Sequence, residues 1–149
     1  MEIHFEIDKA DIYKEVAMTT SYTGAKMDED ANAYERIFTT DEDQQQLERF
    51  WQEAESEMCN ELIRLIAREE MNGGRLEVSL NVSSAFDKAL EPSMGKSLRS
   101  YFIQSISAKW FVFTNKKEAG DYAAAATMHL DDVKRKAMYK RQPMRPRYD

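Results

Sequence analysis

Strict alternation of apolar and polar residues marks two segments of the chain as β-strands. In residues 2–7 the apolar side holds Ile3, Phe5 and Ile7. In residues 75–82 it holds Leu76, Val78, Leu80 and Val82. A period of two places each set on one face of a strand. Because a lone strand leaves its backbone groups unpaired, we expect the two segments to pair with each other.

Apolar residues at helical spacing predict a long amphipathic helix from Thr40 to about Met71. Its stripe consists of Leu47, Phe50, Trp51, Ala54, Met58, Leu62, Leu65 and Ile66. Thr40 and Asp43 resemble a capping box at its start. Asn72-Gly73-Gly74 supplies the left-handed residues that commonly end a helix, so we expect the helix to stop there.

Two more long helices are predicted after Pro92. The first ends in the run Trp110-Phe111-Val112-Phe113, which is apolar all round and indicates burial on several sides. Asn115 and Glu118 form another capping box, which predicts a new helix from Lys116 to near Tyr139. The small residues Ala123 to Ala126 of that helix allow close contact with a neighbour.

The segment between the first strand and the long helix is harder to place. Asp8 can cap a helix that we expect to stop at the run Thr19–Gly24, which is a poor helix former. A short amphipathic turn is predicted around residues 33–38. The fold class is therefore mainly α, with three long amphipathic helices packed as a small bundle and a two-stranded β element. Residues 1–139 are expected to form one helical domain, followed by an extended arm over residues 140–149.

Composition supports one domain with a real core. The chain has 149 residues, of which 42% are hydrophobic and 32% are charged, so global disorder is not expected. The single cysteine, Cys59, excludes an internal disulfide and fits a reducing compartment. The N-terminus lacks the features of a signal peptide, and no apolar run approaches the roughly 20 residues of a membrane helix. We therefore expect that the protein has no membrane partner and that it is assembled in the cytoplasm.

Charge is distributed unevenly along the chain. Residues 134–149 hold seven lysines and arginines and one acid, a net charge of +6, while the whole chain carries −6. Residues 1–133 therefore carry −12. A basic, proline-containing arm on an acidic body is typical of a part that docks onto an acidic protein surface, including another copy of itself. Pro143 and Pro146 are expected to hold the arm extended and away from the last helix.

The chain shows no catalytic or cofactor motif. Asp28, Asp30 and Asn32 have calcium-loop spacing, but positions six and twelve of that loop are Ala33 and Thr39 rather than Gly and Glu. The two histidines, His4 and His129, are far apart in sequence, so no metal site is predicted. Cys59 beside Met58 is expected to be a buried small hydrophobe. We therefore predict no cofactor and no enzymatic activity.

With these elements placed, the chain resembles the head–tail connector and neck (adaptor) proteins of tailed phages. The resemblance lies in the helix at 40–71, with its Asp-Glu-Asp start followed by Leu47, Trp51, Ala54 and Ile63. It also lies in a closing helix pair like residues 94–139, which includes Ile106–Phe111 and Asp121–Ala126 and precedes a proline-containing tail. The N-terminal strand and helix are not part of the pattern.

The resemblance implies a structural role in a phage or prophage particle. Such proteins form rings of identical subunits that join the portal to the tail, with terminal arms inserted into the adjacent ring. The expected location is the virion, and the expected partners are other copies, portal or tail proteins. The partner-binding residues expected here are Lys140, Arg141, Arg145, Arg147 and Tyr148. An acidic channel lining is expected to let DNA pass without specific binding.

Three alternatives stay open at this point. The leading structural alternative is another tail part, such as a tail-completion protein. A cytoplasmic adaptor or regulator is also compatible, with the arm neutralising phosphates and Tyr139 and Tyr148 stacking on bases. Finally, the arm fits a solvated chain end with no partner.

Overall fold

A computed structural model describes residues 1–27, 41–114 and 116–140, without the side chains of 21–27, 41–43 and 113–114. Its strands are β1 (Glu2–Asp8), β2 (Ile66–Asn72) and β3 (Arg75–Asn81). The α-helices in the described part are α1 (Lys9–Met27), α2 (Asp41–Glu61), α3 (Glu91–Thr114) and α4 (Lys116–Ala137). A short 3₁₀ helix, Lys88–Leu90, leads into α3. The protein is thus mostly helical with one small sheet.

The two predicted strands pair as expected. β1 and β3 run antiparallel, with Ile3 opposite Leu80 and Phe5 opposite Val78. The sheet has a third strand, however, and its order is β1-β3-β2. The apolar sides of β1 and β3 are buried, while β2 is exposed along its length except for half-buried Ile66. The expectation of a two-stranded element is therefore wrong by one strand.

The extra strand comes from the last part of the segment predicted as a long helix. α2 ends at Glu61, and residues 66–72 form β2 instead of further helical turns. Gly73 and Gly74 have φ values of +57° and +85°, so both are left-handed. Two consecutive left-handed residues make the type I′ turn that joins paired strands. The glycines therefore close the β2–β3 hairpin and do not cap a helix.

The first helix is longer than predicted. α1 continues through the Thr19–Gly24 run and reaches Met27. The hydroxyl of Thr20 donates to the carbonyl oxygen of Val16 at 2.9 Å, which satisfies it inside the helix. The predicted turn at residues 33–38, the calcium-loop positions and the caps Thr40 and Asn115 lie outside the described residues.

α3 is the central helix and contacts α1, α2, α4 and β1. The buried residues of this helix are Met94, Leu98, Tyr101, Phe102, Ile103, Ser105, Ile106, Ser107, Ala108 and Phe111. They occupy several sides of the helix, so it is not a one-sided amphipathic helix. In the run at its end, Phe111 is buried and Trp110 is half-buried, whereas Val112 is 51% exposed.

The core is a single cluster that joins the helices to the inner face of the sheet. At its centre the indole of Trp51 on α2 stacks on the ring of Phe102, with ring centres 4.5 Å apart. Tyr13 on α1 meets the same indole edge-on. Within the described residues, no helix combines the length and the apolar character needed to cross a bilayer.

Candidate interaction surface

The start of the basic arm is anchored on the body. After α4 ends at Ala137, the backbone of Lys140 forms an antiparallel bridge with Phe86. The N–H of Asp87 donates to the carbonyl oxygen of Tyr139 at 3.3 Å. The side chains of Tyr139 and Lys140 are exposed, whereas Phe86 is buried. The chain is thus held at Tyr139 and Lys140, beside the 3₁₀ helix.

The basic residues of the last turn of α4 are already paired within the body. Lys134 lies 3.2 Å from a carboxylate oxygen of Glu61, and Arg135 and Lys136 each lie 2.9 Å from Asp132. Burial acts to raise the pKa of Asp132, but hydrogen bonds from Lys136 and Ser97 and the charge of Lys136 outweigh it, so the pKa is lowered. Three of the seven terminal cations therefore belong to the body, and the other four belong to residues 140–149.

A groove of about 560 Å³ runs between α2, α3 and α4. Its lining includes the largely apolar set Tyr101, Ser105, Ala108, Val112, Ala119, Ala123, Ala126 and Leu130. The alanines of α4 recur at helical spacing and face α3 and the groove. Because the methyl group of alanine is small, α4 can pack closely on α3 at these positions. The same small side chains leave the groove unfilled.

Carboxylates surround this apolar lining. Glu57 and Glu61 on α2 and Asp131 on α4 line the groove, and Lys109 is the one cation among the lining residues. The ammonium of Lys109 lies 2.8 Å from a carboxylate oxygen of Glu57 and 3.7 Å from one of Glu53. The side chains of Glu57, Glu61 and Asp131 are exposed. The groove therefore presents an apolar interior with a net negative rim.

A second cluster of titratable groups lies where α2 passes β2. Burial and the negative charge of Glu69 raise the pKa of Glu55 to about 7. One helical turn later, the thiol of Cys59 donates to a carboxylate oxygen of Glu69 at 2.9 Å. Burial and this hydrogen bond raise the pKa of Cys59 to about 12. Cys59 is only half-buried, so the expectation of a fully buried small hydrophobe is wrong in that respect.

Lys9, Tyr13 and Glu48 border this cluster. The hydroxyl of Tyr13 donates to Glu48 at 3.0 Å, and Lys9 forms an ion pair with the same carboxylate. Burial and the bond to Glu48 raise the pKa of Tyr13, so the phenol remains a donor. A carboxyl group that titrates near pH 7 is suited to proton transfer. The neighbouring thiol of Cys59 is poorly suited to act as a nucleophile, because its raised pKa suppresses the reactive thiolate.

Three potential metal ligands meet on the outer face of the sheet. His4, Glu6 and Glu77 place one ligand atom each within 4.8 Å of one another. His4 Nδ1 lies 3.0 Å from the hydroxyl of Ser79, and its Nε2 lies 3.9 Å from Glu6. The spacing of the two histidines did not predict this cluster, because the other two ligands are carboxylates, Glu6 from β1 and Glu77 from β3. Exposed clusters of this kind are common without a metal, and we assign none here.

The structure places only one of the five predicted partner-binding residues. Lys140 has an exposed side chain, and its backbone bridges to Phe86. Arg141, Arg145, Arg147 and Tyr148 lie outside the described residues. The groove was not predicted; the only sequence signal for it is the alanine spacing in α4. No match to the chain was found among protein-family models, curated proteins or solved structures.

Proposed function

We propose that this protein is a non-enzymatic structural subunit of a phage or prophage particle. In this proposal it forms a ring at the neck between head and tail, and it is assembled in the bacterial cytoplasm. The long helices form the body of the subunit. The basic arm, with Lys140, Arg141, Arg145, Arg147 and Tyr148, docks onto a neighbouring subunit or onto portal or tail proteins.

The observation that supports this proposal is the separation of charge between body and arm. Residues 1–133 carry −12, and the cations of the last turn of α4 are held in ion pairs with Glu61 and Asp132. The other four terminal cations are Lys140, which bridges to Phe86, and Arg141, Arg145 and Arg147, which follow it in sequence. Opposite charges on two parts of one subunit favour head-to-tail contact between copies, because each copy offers both partners.

The test is charge reversal of the arm. We expect the triple variant Arg141→Glu, Arg145→Glu and Arg147→Glu to lose self-association in light scattering coupled to size-exclusion chromatography, and to keep the far-ultraviolet circular dichroism of the folded chain. A matched control reverses the same number of exposed cations elsewhere, namely Lys14, Lys116 and Lys117. Unchanged association of the arm variant would overturn the proposal.

A gel-shift experiment separates this role from nucleic-acid binding. An arm that neutralises phosphates would retard DNA at low salt and lose that effect steeply as salt increases. We expect no such retardation, because the −12 body repels a polyanion. Salt-dependent DNA binding that disappears in the arm variant would favour a regulator instead. Portal, capsid and tail genes beside this one would support the particle role.

A further inference from the structure

We propose that the groove between α2, α3 and α4 receives the basic arm of a second copy of this chain. This inference rests on the proposed function and names the surface that the arm contacts. The occupant is residues 144–148 of the neighbouring copy, Met-Arg-Pro-Arg-Tyr. The groove supplies what such a segment needs, namely an apolar interior and a carboxylate rim.

The arm segment alternates between basic residues and apolar or aromatic residues, and the groove offers a carboxylate rim and an apolar interior. Arg145 and Arg147 are basic, while Met144, Pro146 and Tyr148 are apolar or aromatic. In an extended chain, neighbouring side chains point to opposite sides, so the arginines share one side and the other three residues share the opposite side. One side then suits the carboxylates of the rim, and the other suits the alanine-lined interior.

The spacing of the charges also agrees. Glu57 and Glu61 are one helical turn apart on α2, which separates their Cβ atoms by about 6 Å. Arg145 and Arg147 are two residues apart, which in an extended chain is about 6.6 Å. Because Arg145 precedes Pro146, an extended conformation is favoured at Arg145, which agrees with this spacing. Each guanidinium can then bind one carboxylate through two parallel hydrogen bonds.

The groove is available to an incoming arginine. Glu57 and Glu61 are held by single lysine contacts, from Lys109 at 2.8 Å and Lys134 at 3.2 Å. These pairs are exposed, and exposed pairs of this kind contribute little stability, so an added guanidinium can join or replace the lysine at low cost. Asp131 on the opposite wall provides a further carboxylate for the arm.

The arm of the same copy is less suited to this groove. It is anchored at Lys140 beside Phe86, at the end of α4, whereas the groove follows α4 back from Asp131 towards Ala119. Gln142 and Arg145 each precede a proline, which disfavours a helical turn at these two positions. The arm of the same copy would therefore have to turn back along α4 to enter the groove. The arm of a neighbour can enter without this reversal.

A charge swap in the full-length protein tests the pairing. Glu57→Arg with Glu61→Arg reverses the rim, and Arg145→Glu with Arg147→Glu reverses the arm segment. We expect each double variant alone to associate at least tenfold more weakly than the wild type in sedimentation velocity. Combining all four changes in one chain is expected to restore association. Glu2→Arg with Glu70→Arg, two exposed acids on the sheet, is the matched control and is expected to have no effect.

A cross-link identifies which copy supplies the arm. In a Cys59→Ser background, which removes the native thiol, Val112→Cys in the groove and Tyr148→Cys in the arm are expected to give covalent multimers on oxidation. Cross-linked monomers would overturn the inference, because they place the arm in the groove of its own copy. A wild-type chain that stays monomeric at millimolar concentration would also overturn it.

The two proposals fail in different ways. If reversal of the arm abolishes association but reversal of the rim does not, the arm docks elsewhere and the groove inference is wrong. If reversal of the arm leaves association unchanged, the proposed function itself is wrong. Circular dichroism of each variant shows that the chain remains folded, so a loss of association is not a loss of structure.

Discussion

The phenolic hydroxyl of Tyr101 donates a 2.7 Å hydrogen bond to the backbone carbonyl oxygen of Ala54, and so connects α3 to α2. Tyr101 is 3% exposed and Ala54 is fully buried. Burial raises the pKa of Tyr101, with the negative charge of Glu57 adding to it, so the hydroxyl keeps its proton. The bond thus connects two of the helices that line the groove, and Tyr101 is itself a lining residue.

Replacing Tyr101 with Phe removes only this hydrogen bond. We expect the free energy of unfolding to fall by about 1 kcal/mol, which is typical of a single intramolecular hydrogen bond. Urea denaturation followed by circular dichroism measures the change. The exposed Tyr139→Phe serves as the control, with an expected change within about 0.5 kcal/mol. Equal stability of Tyr101→Phe and the wild type would show that the bond contributes nothing.

A substitution at Gly73 tests the turn of the β2–β3 hairpin, at the position where the end of a helix was predicted. The φ of Gly73, +57°, is unfavourable for residues with a Cβ atom, although a Cβ placed there meets no other atom within 4 Å. We expect Gly73→Ala to destabilise the protein by about 1–2 kcal/mol through backbone strain alone. Gly73→Asn is expected to cost less, because Asn tolerates the left-handed region. Equal stability of both variants and the wild type would contradict this turn geometry.

Glu55 makes the stability depend on pH. In the unfolded chain this carboxyl titrates near its ordinary pKa of 4.5, whereas in the folded chain burial and Glu69 raise the pKa to about 7. Between pH 4.5 and about 7 the folded state binds a proton that the unfolded state has released. The stability contributed by Glu55 is therefore highest below pH 4.5 and is lost as the pH rises to about 7. Nearby Lys9 opposes the shift, and Glu48 adds to it.

The variant Glu55→Gln removes this titration. After allowance for solvent screening at this partly exposed site, we expect it to be about 1 kcal/mol more stable than the wild type at pH 8. The difference is expected to vanish below pH 4.5, where both side chains are neutral. Urea midpoints measured across this pH range test it, with exposed Glu2→Gln as the control. A pH-independent difference would show that the effect is not a proton equilibrium.

Cys59 is expected to react slowly with thiol reagents. With its pKa raised to about 12, the thiolate fraction at pH 8 is roughly a thousandfold lower than for a thiol with a pKa of 9.0. Glu69→Gln removes the negative charge that helps raise the pKa, so we expect faster modification by a disulfide reagent. Glu70→Gln, on the other face of β2, is the control. Equal rates in all three proteins would contradict the role of Glu69.

The sequence predicted the elements that bury one regular face. β1 and β3 alternate cleanly because one side of each is in the core, and the pairing of residues 2–7 with residues 75–82 is confirmed. β2 has no buried face, so its sequence carries no alternation; Ala-Arg-Glu-Glu-Met consists of strong helix formers. Only pairing with β3 makes this segment a strand. The same Gly-Gly pair suits a helix end and a hairpin, and local pattern alone does not distinguish them.

The groove could not be derived from sequence, because it depends on how three helices meet. Periodicity identified the alanines of α4 as a contact face, but not the space between Ala123 and Val112. The charge of the arm was visible in composition. That Lys134, Arg135 and Lys136 are used within the body became visible only in the ion pairs of the fold. The roles of Arg141, Arg145, Arg147 and Tyr148 stay predictions.

The bridge between Phe86 and Lys140 has a mechanical consequence. We expect a pull on the C-terminus not to peel α4 away from its end first, because the backbone at Tyr139 and Lys140 is held by Asp87 and Phe86. The force passes instead into the segment before α3 and, through the buried ring of Phe86, into the core. We therefore expect tension applied at the C-terminus to reach the core of the protein through these backbone contacts before α4 unwinds.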